Sequence, residues 1–306
     1  MCLVRINLSF FVFLITSLST AGIADDLSSV VAPNAKLQLV TGDCKFTEGP
    51  ASDAAGNVYF TDQPNDRIVR VGINGTVADF MKPAGRSNGM FFLPDGKLLA
   101  CADEQNQMWE IDVKDGTHKM LFDKFETKLL NGPNDVWIHP SGVMYFTDPF
   151  YKRPWWTHEQ PPQSVQALYR VAKDRSTLQR EPEPFKQPNG IVGDAKRGVM
   201  FVADIGDQKT YSYPIDSAGM LGKRTLFCEE GSDGMTLDDA SNLYLTGKRG
   251  VTVYRADGTR IGVIEVPENW TANVCFGGKD HRTLFITASD SVYTIAMLTR
   301  GISDQE

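Results

Sequence analysis

Six polar residues occupy matching places along the sequence, each about ten residues before an apolar segment. They comprise two acids and four side-chain amides, namely Glu48, Asn88, Asn134, Asn189, Asp233 and Asn273. A single Asn-Gly or Asp-Gly pair is an ordinary turn signal. Glutamate is not a turn-forming residue, however, so a turn does not explain Glu48, and six residues in register indicate a shared role. Carboxylate and amide oxygens are hard ligands, which suit Ca²⁺ better than Zn²⁺ and suit Mg²⁺ less well.

The apolar segments that follow these residues are repeats of one another. Each begins with a turn rich in Gly or Asp, as in "AAGNVYFTD" and "HPSGVMYFTD", and continues into a second strand-like run such as "RIVRVG" or "ALYRVA". The strands start near Val58, Leu98, Val143, Val199, Leu243 and Leu284. Their spacing of roughly 40 to 55 residues is the period of a four-stranded propeller blade. The sequence therefore predicts an all-β fold, a six-bladed β-propeller.

In a propeller the innermost strands surround a central channel, so equivalent positions of the blades meet at one end of it. The six polar residues are therefore predicted to form a ring there. The segment "AKLQLVTG", near the beginning of the chain, is a suitable strand to complete the last blade. The segment Asp148–Gln166 is rich in Pro and aromatic residues and lacks a strand period, which predicts an insertion loop on one face.

Other kinds of chemistry have little support in the sequence. The net charge is −7, and no cluster of Lys and Arg provides the basic surface that nucleic-acid binding requires. None of the histidines has a zinc-site spacing, and no GxSxG motif indicates a serine hydrolase. Four aspartates that close repeat strands have a structural explanation, because such carboxylates can tie down turns through backbone N–H groups. They are Asp62, Asp103, Asp148 and Asp204, with Asp148 held in reserve because the insertion loop follows it.

The first residues resemble an export signal. Arg5 precedes an apolar run that is too short to span a bilayer, and small residues at Gly22 and Ala24 suit a signal peptidase. We expect residues 1–24 to be a signal peptide and residues 25–306 to be a single propeller domain, periplasmic or secreted, with no membrane attachment after cleavage. Cys44, Cys101, Cys228 and Cys275 are scattered and are interpreted as free thiols that pack as small hydrophobes, although one disulfide is the alternative.

The sequence resembles the family that includes gluconolactonases, senescence marker protein (regucalcin) and luciferin-regenerating enzyme, and it is most similar to the bacterial gluconolactonases. The resemblance covers essentially all of the chain after the predicted signal. It rests on "EGP", "NGPND", "PNGI", "SDGM" and "FGGKDHRTLFITA". It implies a six-bladed propeller that hydrolyses sugar lactones with one divalent metal at the channel mouth. By this resemblance the metal ligands are Glu48, Asn134, Asn189 and Asp233, and Asp233 is also the catalytic residue.

One position departs from the animal members of the family. They carry an arginine two residues before the second ligand, whereas this chain has Gly132 there, beside Asn131. The predicted substrate contacts are therefore Asn131, Asn88, Arg86 and Asn273.

The predicted activity is calcium-dependent hydrolysis of a sugar lactone, a small-molecule substrate, with Zn²⁺, Mg²⁺ and Mn²⁺ as alternative metals. A metal-polarised carbonyl would be attacked by water that Asp233 orients. Two alternatives stay open. One is a phosphotriesterase of the diisopropylfluorophosphatase type. The other is a non-catalytic binding propeller with a structural ion, in which Trp155 and Trp156 of the insertion loop contact a polymer or a protein.

Overall fold

The recurring apolar segments form the second strand of six antiparallel sheets in the computed structural model, which describes residues 26–302. The strand Val58–Asp62 is buried at every position. Val58 and Phe60 pack against the preceding sheet around the ring, whereas Tyr59 packs against the following one. A strand covered on both faces reads as a continuous apolar run. The predicted fold, an all-β six-bladed β-propeller, is confirmed.

The first three blades are given from the channel outward. Blade 1 contains Thr47–Ser52, Val58–Asp62, Arg67–Val71 and Val77–Met81. Blade 2 contains Ser87–Phe92, Leu98–Ala102, Gln107–Ile111 and His118–Phe122. Blade 3 contains Val136–Ile138, Met144–Asp148, Ala167–Val171 and Leu178–Arg180. A hairpin of Lys124–Phe125 and Lys128–Leu129 joins blades 2 and 3.

The remaining blades follow the same order. Blade 4 contains Pro188–Asp194, Val199–Asp204, Lys209–Pro214 and Thr225–Cys228. Blade 5 contains Met235–Leu237, Leu243–Gly247, Gly250–Tyr254 and Arg260–Ile264. Blade 6 contains Thr271–Gly277, Thr283–Ala288, Ser291–Ala296 and Gln38–Thr41. Short 3₁₀ helices lie at Leu27–Ser29, Gln63–Asn65 and Asp103–Gln105.

The ring is closed by a strand from the beginning of the described chain. Gln38–Thr41 pairs with Ser291–Ala296 as the outermost strand of blade 6, with Leu39 opposite Tyr293. This is the strand predicted from "AKLQLVTG". Since its sheet partners come from the last repeat, residues far apart in sequence share one blade, and the ring cannot open without breaking this pairing.

The hydrophobic core is divided among the interfaces between blades. Six buried clusters of described residues each join two neighbouring blades. In the cluster between blades 3 and 4, for example, Trp137 and Tyr145 pack with Met200 and Val202. Apolar burial is therefore spread evenly around the channel, and this even packing fixes the angle between blades.

Three further sequence predictions concern the signal peptide, membrane attachment and the cysteines. The predicted signal peptide, residues 1–24, lies outside the described residues. Among residues 26–302 no helix is long and apolar enough to cross a bilayer. Cys44, Cys101, Cys228 and Cys275 are free thiols, and Cys101 and Cys275 are buried as expected.

Three of the four strand-closing aspartates anchor the segment that enters the innermost strand of their own blade. Asp148 accepts hydrogen bonds from the backbone N–H groups of Asn131 and Gly132, at 2.9 and 2.8 Å. Asp204 and Asp62 accept from the equivalent segments, Lys186–Gln187 and Lys45–Phe46. Asp148 is thus an ordinary member of this set and not the exception held in reserve. The innermost strands start where they do partly because these carboxylates hold the entering chain.

We expect Asp204→Ala to destabilise the protein strongly. The carboxylate is buried and accepts from Lys186 N and Gln187 N, both at 2.8 Å, and from Asp207 N at 3.2 Å. Its loss should lower the free energy of unfolding by about 2 to 4 kcal/mol, because it removes three backbone hydrogen bonds to a buried carboxylate. Urea denaturation measures the change. Asp174→Ala is the matched control, since Asp174 accepts from a backbone N–H in an exposed turn, and equal losses in both variants would contradict the explanation.

Candidate active site

Five of the six predicted ring residues lie at one end of the central channel, where the innermost strands begin. Glu48, Asn88 and Asn189 are the second residues of their strands. Asn134 and Asp233 lie two residues before theirs. Hydrogen bonds between neighbouring blades fix the position of this ring along the channel. In each of them, a threonine in the second strand of one blade donates to the backbone carbonyl of the ring residue in the next blade. Thr61 Oγ1 donates to Asn88 O at 3.3 Å, and Thr147 Oγ1 donates to Asn189 O at 2.8 Å.

The sixth ring position belongs to Ala272, so the prediction for Asn273 is wrong by one residue. Thr246 of blade 5 donates to the carbonyl of Ala272 at 2.7 Å, which is the bond that marks ring members elsewhere. Asn273 instead matches Gly234, which follows the ring residue Asp233, since each donates its N–H to a threonine in its own blade. The side-chain oxygen of Asn273 accepts from Val274 N at 2.7 Å. It is therefore engaged below the ring and is not available to a substrate at the mouth.

Asp233 is held by two side chains from neighbouring blades. Its Oδ1 accepts from Asn189 Nδ2 at 2.7 Å, and its Oδ2 accepts from Trp270 Nε1 at 2.5 Å. Burial raises the pKa of Asp233 to about 6, even though these two hydrogen bonds and the nearby charge of Arg153 favour the ionised form. The carboxylate is thus fixed in plane and position, and it gives up its charge more readily than an exposed aspartate.

Glu48 faces the same space from blade 1. Only 3% of the residue is exposed, and Oε2 accepts from Gly49 N at 3.1 Å. Burial raises the pKa of Glu48 well above its usual range, and the negative charges of Asp233 and Asp135 raise it further. Glu48 and Asp233 are therefore close enough to repel each other when both are ionised. A site with two repelling buried carboxylates is stabilised by a cation.

The oxygen atoms of the site fit a hard divalent cation. Asn189 donates both N–H groups of its side chain, to Asp233 and to the hydroxyl of Tyr151, so its Oδ1 faces elsewhere. That oxygen is buried and accepts no hydrogen bond from any residue between 26 and 302. The described chain has no group of three or more His, Cys, Asp and Glu side chains that could hold a metal. A metal here must therefore use amide oxygens beside the two carboxylates, as the ligand set predicts.

Asn134, the fourth predicted ligand, is placed at the ring by its backbone. Its N–H donates to Thr147 O at 2.9 Å, and its carbonyl accepts from Gly89 N at 2.7 Å. The residue is 4% exposed. The next residue, Asp135, was not among the predicted site residues. It is buried directly below the ring, where it accepts from Val136 N and Ile191 N, and burial raises its pKa to about 7.

The insertion loop folds over the mouth of the channel. This segment, residues 149–166 between the second and third strands of blade 3, is called the lid loop below. The hydroxyl of Tyr151 accepts from Asn189 Nδ2 at 2.8 Å. Arg153 Nε donates to Asp103 Oδ2 at 2.6 Å, and Trp156 Nε1 donates to Asp103 O at 2.8 Å. The loop is therefore attached both to the ring and to blade 2.

Asn131, a predicted substrate contact, is instead used to hold the lid loop. Its Nδ2 donates to Val165 O at 2.9 Å and to Asp148 O, and its Oδ1 accepts from Gln163 N at 2.9 Å. Its side-chain N–H and oxygen groups thus join the two ends of the loop, and the residue is fully buried. The prediction that Asn131 contacts substrate is therefore wrong.

The neighbouring Gly132 is required by the close approach of the lid loop. Its φ of +148° is unfavourable for other residues, and a Cβ there would lie 2.7 Å from Trp156 and 3.1 Å from Asp103 Oδ1. The space beside position 132 is thus occupied by the ring of Trp156 and the carboxylate that binds Arg153.

Arg86 and Asn88 remain candidates for substrate contact. The guanidinium of Arg86 lies 4.6 Å from the ring centre of Trp155 and donates to Pro64 O at 2.9 Å. It is thus next to the lid loop and partly engaged in holding it. Asn88 is buried at the ring.

Several residues at the mouth were not found from the sequence. Tyr151, Arg153 and Trp270 lie in segments without a strand period, where neither spacing nor register predicts which way a side chain turns. Asp103 was assigned to the same structural role as Asp62, but its strand ends one residue earlier, at Ala102, so that Asp103 matches Gln63 and not Asp62. Trp270 lies two residues before Ala272, the residue that occupies the ring position in blade 6, and correct assignment of Ala272 would have placed this tryptophan near the ring.

Comparison with known proteins identifies the family. The family model described as the SMP-30/Gluconolactonase/LRE-like region matches residues 46–290, and the chain belongs to this family. The gluconolactonase of Zymomonas mobilis is 26% identical over 304 residues, covering 90% of this chain and 85% of that protein. The pentonolactonase of Haloferax volcanii is 24% identical over 265 residues, covering 82% and 84%. These matches confirm the resemblance seen in the sequence motifs.

Two solved structures show the same fold. A gluconolactonase of Xanthomonas campestris superposes with a TM-score of 0.81 at 24% identity, covering 87% of this chain and 91% of that one. The calcium-binding protein regucalcin of Agrobacterium tumefaciens superposes with a TM-score of 0.71 at 19% identity, covering 86% and 94%. At these identities the structural similarity establishes the propeller fold and nothing more specific.

The buried carboxylates predict a characteristic pH dependence for the metal-free protein. The pKa of Asp233 rises from 3.8 to about 6 on folding, so the folded state binds its proton more tightly than the unfolded state does. The free energy of unfolding should therefore fall as the pH rises through this range, by at most about 3 kcal/mol.

Denaturation with urea at a series of pH values, in the presence of a chelator, measures this dependence. Asp233→Asn is the control, because it removes the titrating group and keeps its shape. The variant should lose part of the slope, and saturating Ca²⁺ should flatten the slope of the unmodified protein. Identical slopes for the variant and the unmodified protein would contradict the assignment.

Proposed function

We propose that this protein is a hydrolase of sugar lactones that uses a divalent cation, Ca²⁺ by preference, at the mouth of the channel. The observation that carries the proposal is the convergence of Glu48, Asp233 and the unpaired amide oxygen of Asn189 beneath the lid loop. Relatives of this chain are named for lactone hydrolysis, including a gluconolactonase, a pentonolactonase and a 6-deoxy-6-sulfogluconolactonase.

Glu48, Asn134, Asn189 and Asp233 would hold the cation. When bound, it would polarise the lactone carbonyl and stabilise negative charge on the carbonyl oxygen. A set made only of carboxylate and amide oxygens favours Ca²⁺ over Zn²⁺, which prefers nitrogen and sulfur ligands. A relative of known structure, regucalcin, is described as calcium-binding, which supports the same choice.

Asp233 is suited to orienting the attacking water. Asn189 and Trp270 each occupy one hydrogen-bonding position, on different oxygens of the carboxylate. Each oxygen keeps a further lone pair, so one oxygen can face the cation while the other accepts a hydrogen bond from water. Since a nearby cation favours the ionised carboxylate and lowers its basicity, Asp233 would act as a positioned weak base. Burial of the carboxylate keeps competing water molecules away from it.

The lid loop favours a small substrate over a polymer. Trp156 donates its N–H to Asp103 O, and the ring of Trp155 lies against Arg86. Both tryptophans thus turn toward the mouth and are engaged with the propeller. This arrangement supports a covered pocket in place of an exposed aromatic platform for a polymer or a protein.

A hydrolysis screen tests the proposal directly. Protein reconstituted with Ca²⁺, Zn²⁺, Mg²⁺ or Mn²⁺ would be assayed on a set of aldonolactones and a set of phosphotriesters. Turnover of aldonolactones supports the proposal. Turnover of phosphotriesters alone would favour the diisopropylfluorophosphatase-type alternative, and no turnover of either set would favour a binding propeller with a structural ion. A periplasmic or secreted location is proposed from residues 1–24, and fractionation of cells checks it.

We expect Asp233→Asn to lower kcat by about 10²- to 10⁴-fold at saturating metal, the usual contribution of general-base assistance. The substitution keeps an oxygen at the metal and removes the carboxylate that orients water. Thermal stability at saturating Ca²⁺ should change much less, because the shape of the side chain is conserved. The wild-type rate in this variant would show that the role given to Asp233 is wrong.

Glu48→Gln should act mainly on the cation. Since Glu48 has no predicted role in proton transfer, the loss of its charge should weaken Ca²⁺ binding, and activity should recover in part at high Ca²⁺ concentration. Calcium titration by calorimetry, together with the rate at increasing Ca²⁺, measures both effects. A purely structural ion predicts a different result, in which Glu48→Gln and Asp233→Asn lower the melting temperature together and neither changes a catalytic rate.

A further inference from the structure

The lid loop places an arginine at the mouth of the channel. The Cζ atom of Arg153 lies 5.3 Å from the ring centre of Tyr151 and 5.8 Å from that of Trp155. Its positive charge also acts on the carboxylates of Glu48 and Asp233. Arg153 is therefore close to the candidate active site even though it belongs to none of the innermost strands.

Asp103 holds this arginine, and it lies one residue beyond Ala102, which closes the second strand of blade 2 where the other three blades have an aspartate. Asp62, Asp148 and Asp204 accept hydrogen bonds from the backbone of the segment entering their own blade. In blade 2 that task falls to Asp66, whose Oδ1 accepts from Ala84 N at 3.0 Å and from Arg86 N at 2.7 Å.

The carboxylate of Asp103 binds two side chains. It accepts from Arg153 Nε at 2.6 Å and from Gln63 Nε2 at 2.8 Å. Asp103 is 1% exposed, so this is a buried charge with a fixed position. A buried carboxylate that binds one edge of a guanidinium fixes the direction of the other N–H groups.

The remaining donors of Arg153 are not used by the described chain. The bond to Asp103 involves one of its five N–H groups, and no other acceptor for Arg153 is found among residues 26–302. Its side chain keeps 19% of its surface exposed. Trp155, beside it, has a buried Nε1 that also lacks an acceptor in the described part of the chain. Of these two residues Arg153 is the one that can offer N–H groups to a ligand, because Trp155 Nε1 is buried and the Arg153 side chain is partly exposed beside Glu48 and Asp233.

We propose that Arg153 is a substrate-binding residue that donates hydrogen bonds to the hydroxyl oxygens of a polyhydroxylated lactone, and that Asp103 is the residue that positions it. The proposal rests on the proposed lactone hydrolysis and specifies how the substrate class is selected. A lactone without ring hydroxyl groups offers Arg153 nothing beyond the lactone group itself. The pair should therefore matter for hydroxylated lactones and should be indifferent to unsubstituted ones.

The test compares two lactones in the metal-reconstituted, full-length protein. Glucono-δ-lactone carries ring hydroxyl groups, and δ-valerolactone has the same ring without them. Arg153→Gln should raise KM for glucono-δ-lactone about tenfold to a hundredfold, the range expected for lost hydrogen bonds to a charged donor. Its kcat/KM for δ-valerolactone should stay within about threefold of the unmodified value.

Asp103→Asn should show the same selectivity with a smaller effect. Because Asp103 acts through Arg153, the double variant should be no worse than Arg153→Gln alone, which a double-mutant cycle detects. Asp238→Asn is the matched control, since that buried carboxylate accepts from Ala240 N and Asn242 N in the turn after Met235–Leu237, at the end of the channel away from the lid loop. It should lower the melting temperature and leave the ratio of the two kcat/KM values unchanged.

Two further measurements keep the test decisive. If Arg153→Gln fails to fold, Arg153→Lys keeps the charge and should still lose most of the preference for glucono-δ-lactone. Binding of gluconate to the metal-loaded protein, followed by calorimetry, should weaken in both Arg153 variants independently of any rate.

Equal losses on both lactones, or an unchanged preference, would overturn the role of Arg153. If the double variant loses much more than either single variant, Asp103 does not act through Arg153. If the unmodified protein hydrolyses neither these lactones nor other aldonolactones, the proposed function fails, and this inference fails with it.

Discussion

The arrangement of the site follows from the closure of the ring, which brings like charges together. Because six innermost strands begin around one axis, Glu48 and Asp233 meet at the channel mouth, with Asp135 directly below. Each is buried, and each has a raised pKa. A packed core alone gives no reason for this concentration of carboxylates, which costs stability unless a positive charge compensates it. The side-chain oxygen of Asn189, which accepts no hydrogen bond from residues 26–302, belongs to the residue that donates to Asp233 in the same place. The proposed divalent cation would resolve both problems with one set of ligands.

The same closure separates the apolar packing from the charged end of the channel. Apolar packing is distributed over six interfaces between blades, away from the channel end. The strand-closing aspartates and the threonines beside them fix where each innermost strand begins. Stability and function thus depend on different residues. Loss of an anchor such as Asp204 acts on the blade, whereas loss of Glu48 acts on the charge balance of the mouth.

Much of this could be predicted from the sequence, because repetition carries information that a single segment lacks. Six turn-and-strand repeats predicted the blades, and their register predicted the ring that contains Glu48, Asn189 and Asp233. The register failed at Asn273, where an alanine occupies the ring and a neighbouring amide resembles a member; a shift of one residue moves a strand side chain to the other face. Asn131 failed for another reason. The sequence of a polar turn does not show whether its asparagine faces a substrate or binds a neighbouring loop. In the structure, the hydrogen bonds of Asn131 to Val165 and Gln163 show that it binds the lid loop. Tyr151 and Arg153 lie in an aperiodic loop whose course depends on tertiary contacts.

The most informative positions are those where one repeat departs from the others. Asp62, Asp148 and Asp204 close their second strands, whereas Ala102 closes the second strand of blade 2 and Asp66 makes the corresponding backbone contacts there. Asp103 is the next residue along the chain, and its carboxylate has a different partner. Its carboxylate then binds the lid loop that blade 3 alone carries. Likewise Ala272 supplies no polar group to the ring, and blade 6 contributes instead through Trp270, which holds Asp233. The equivalent residues of the blades give the propeller its approximate symmetry, whereas a bound substrate is asymmetric. An asymmetric pocket within a symmetric ring must therefore be formed by residues that depart from the repeat. In this protein those residues lie at one end of the channel.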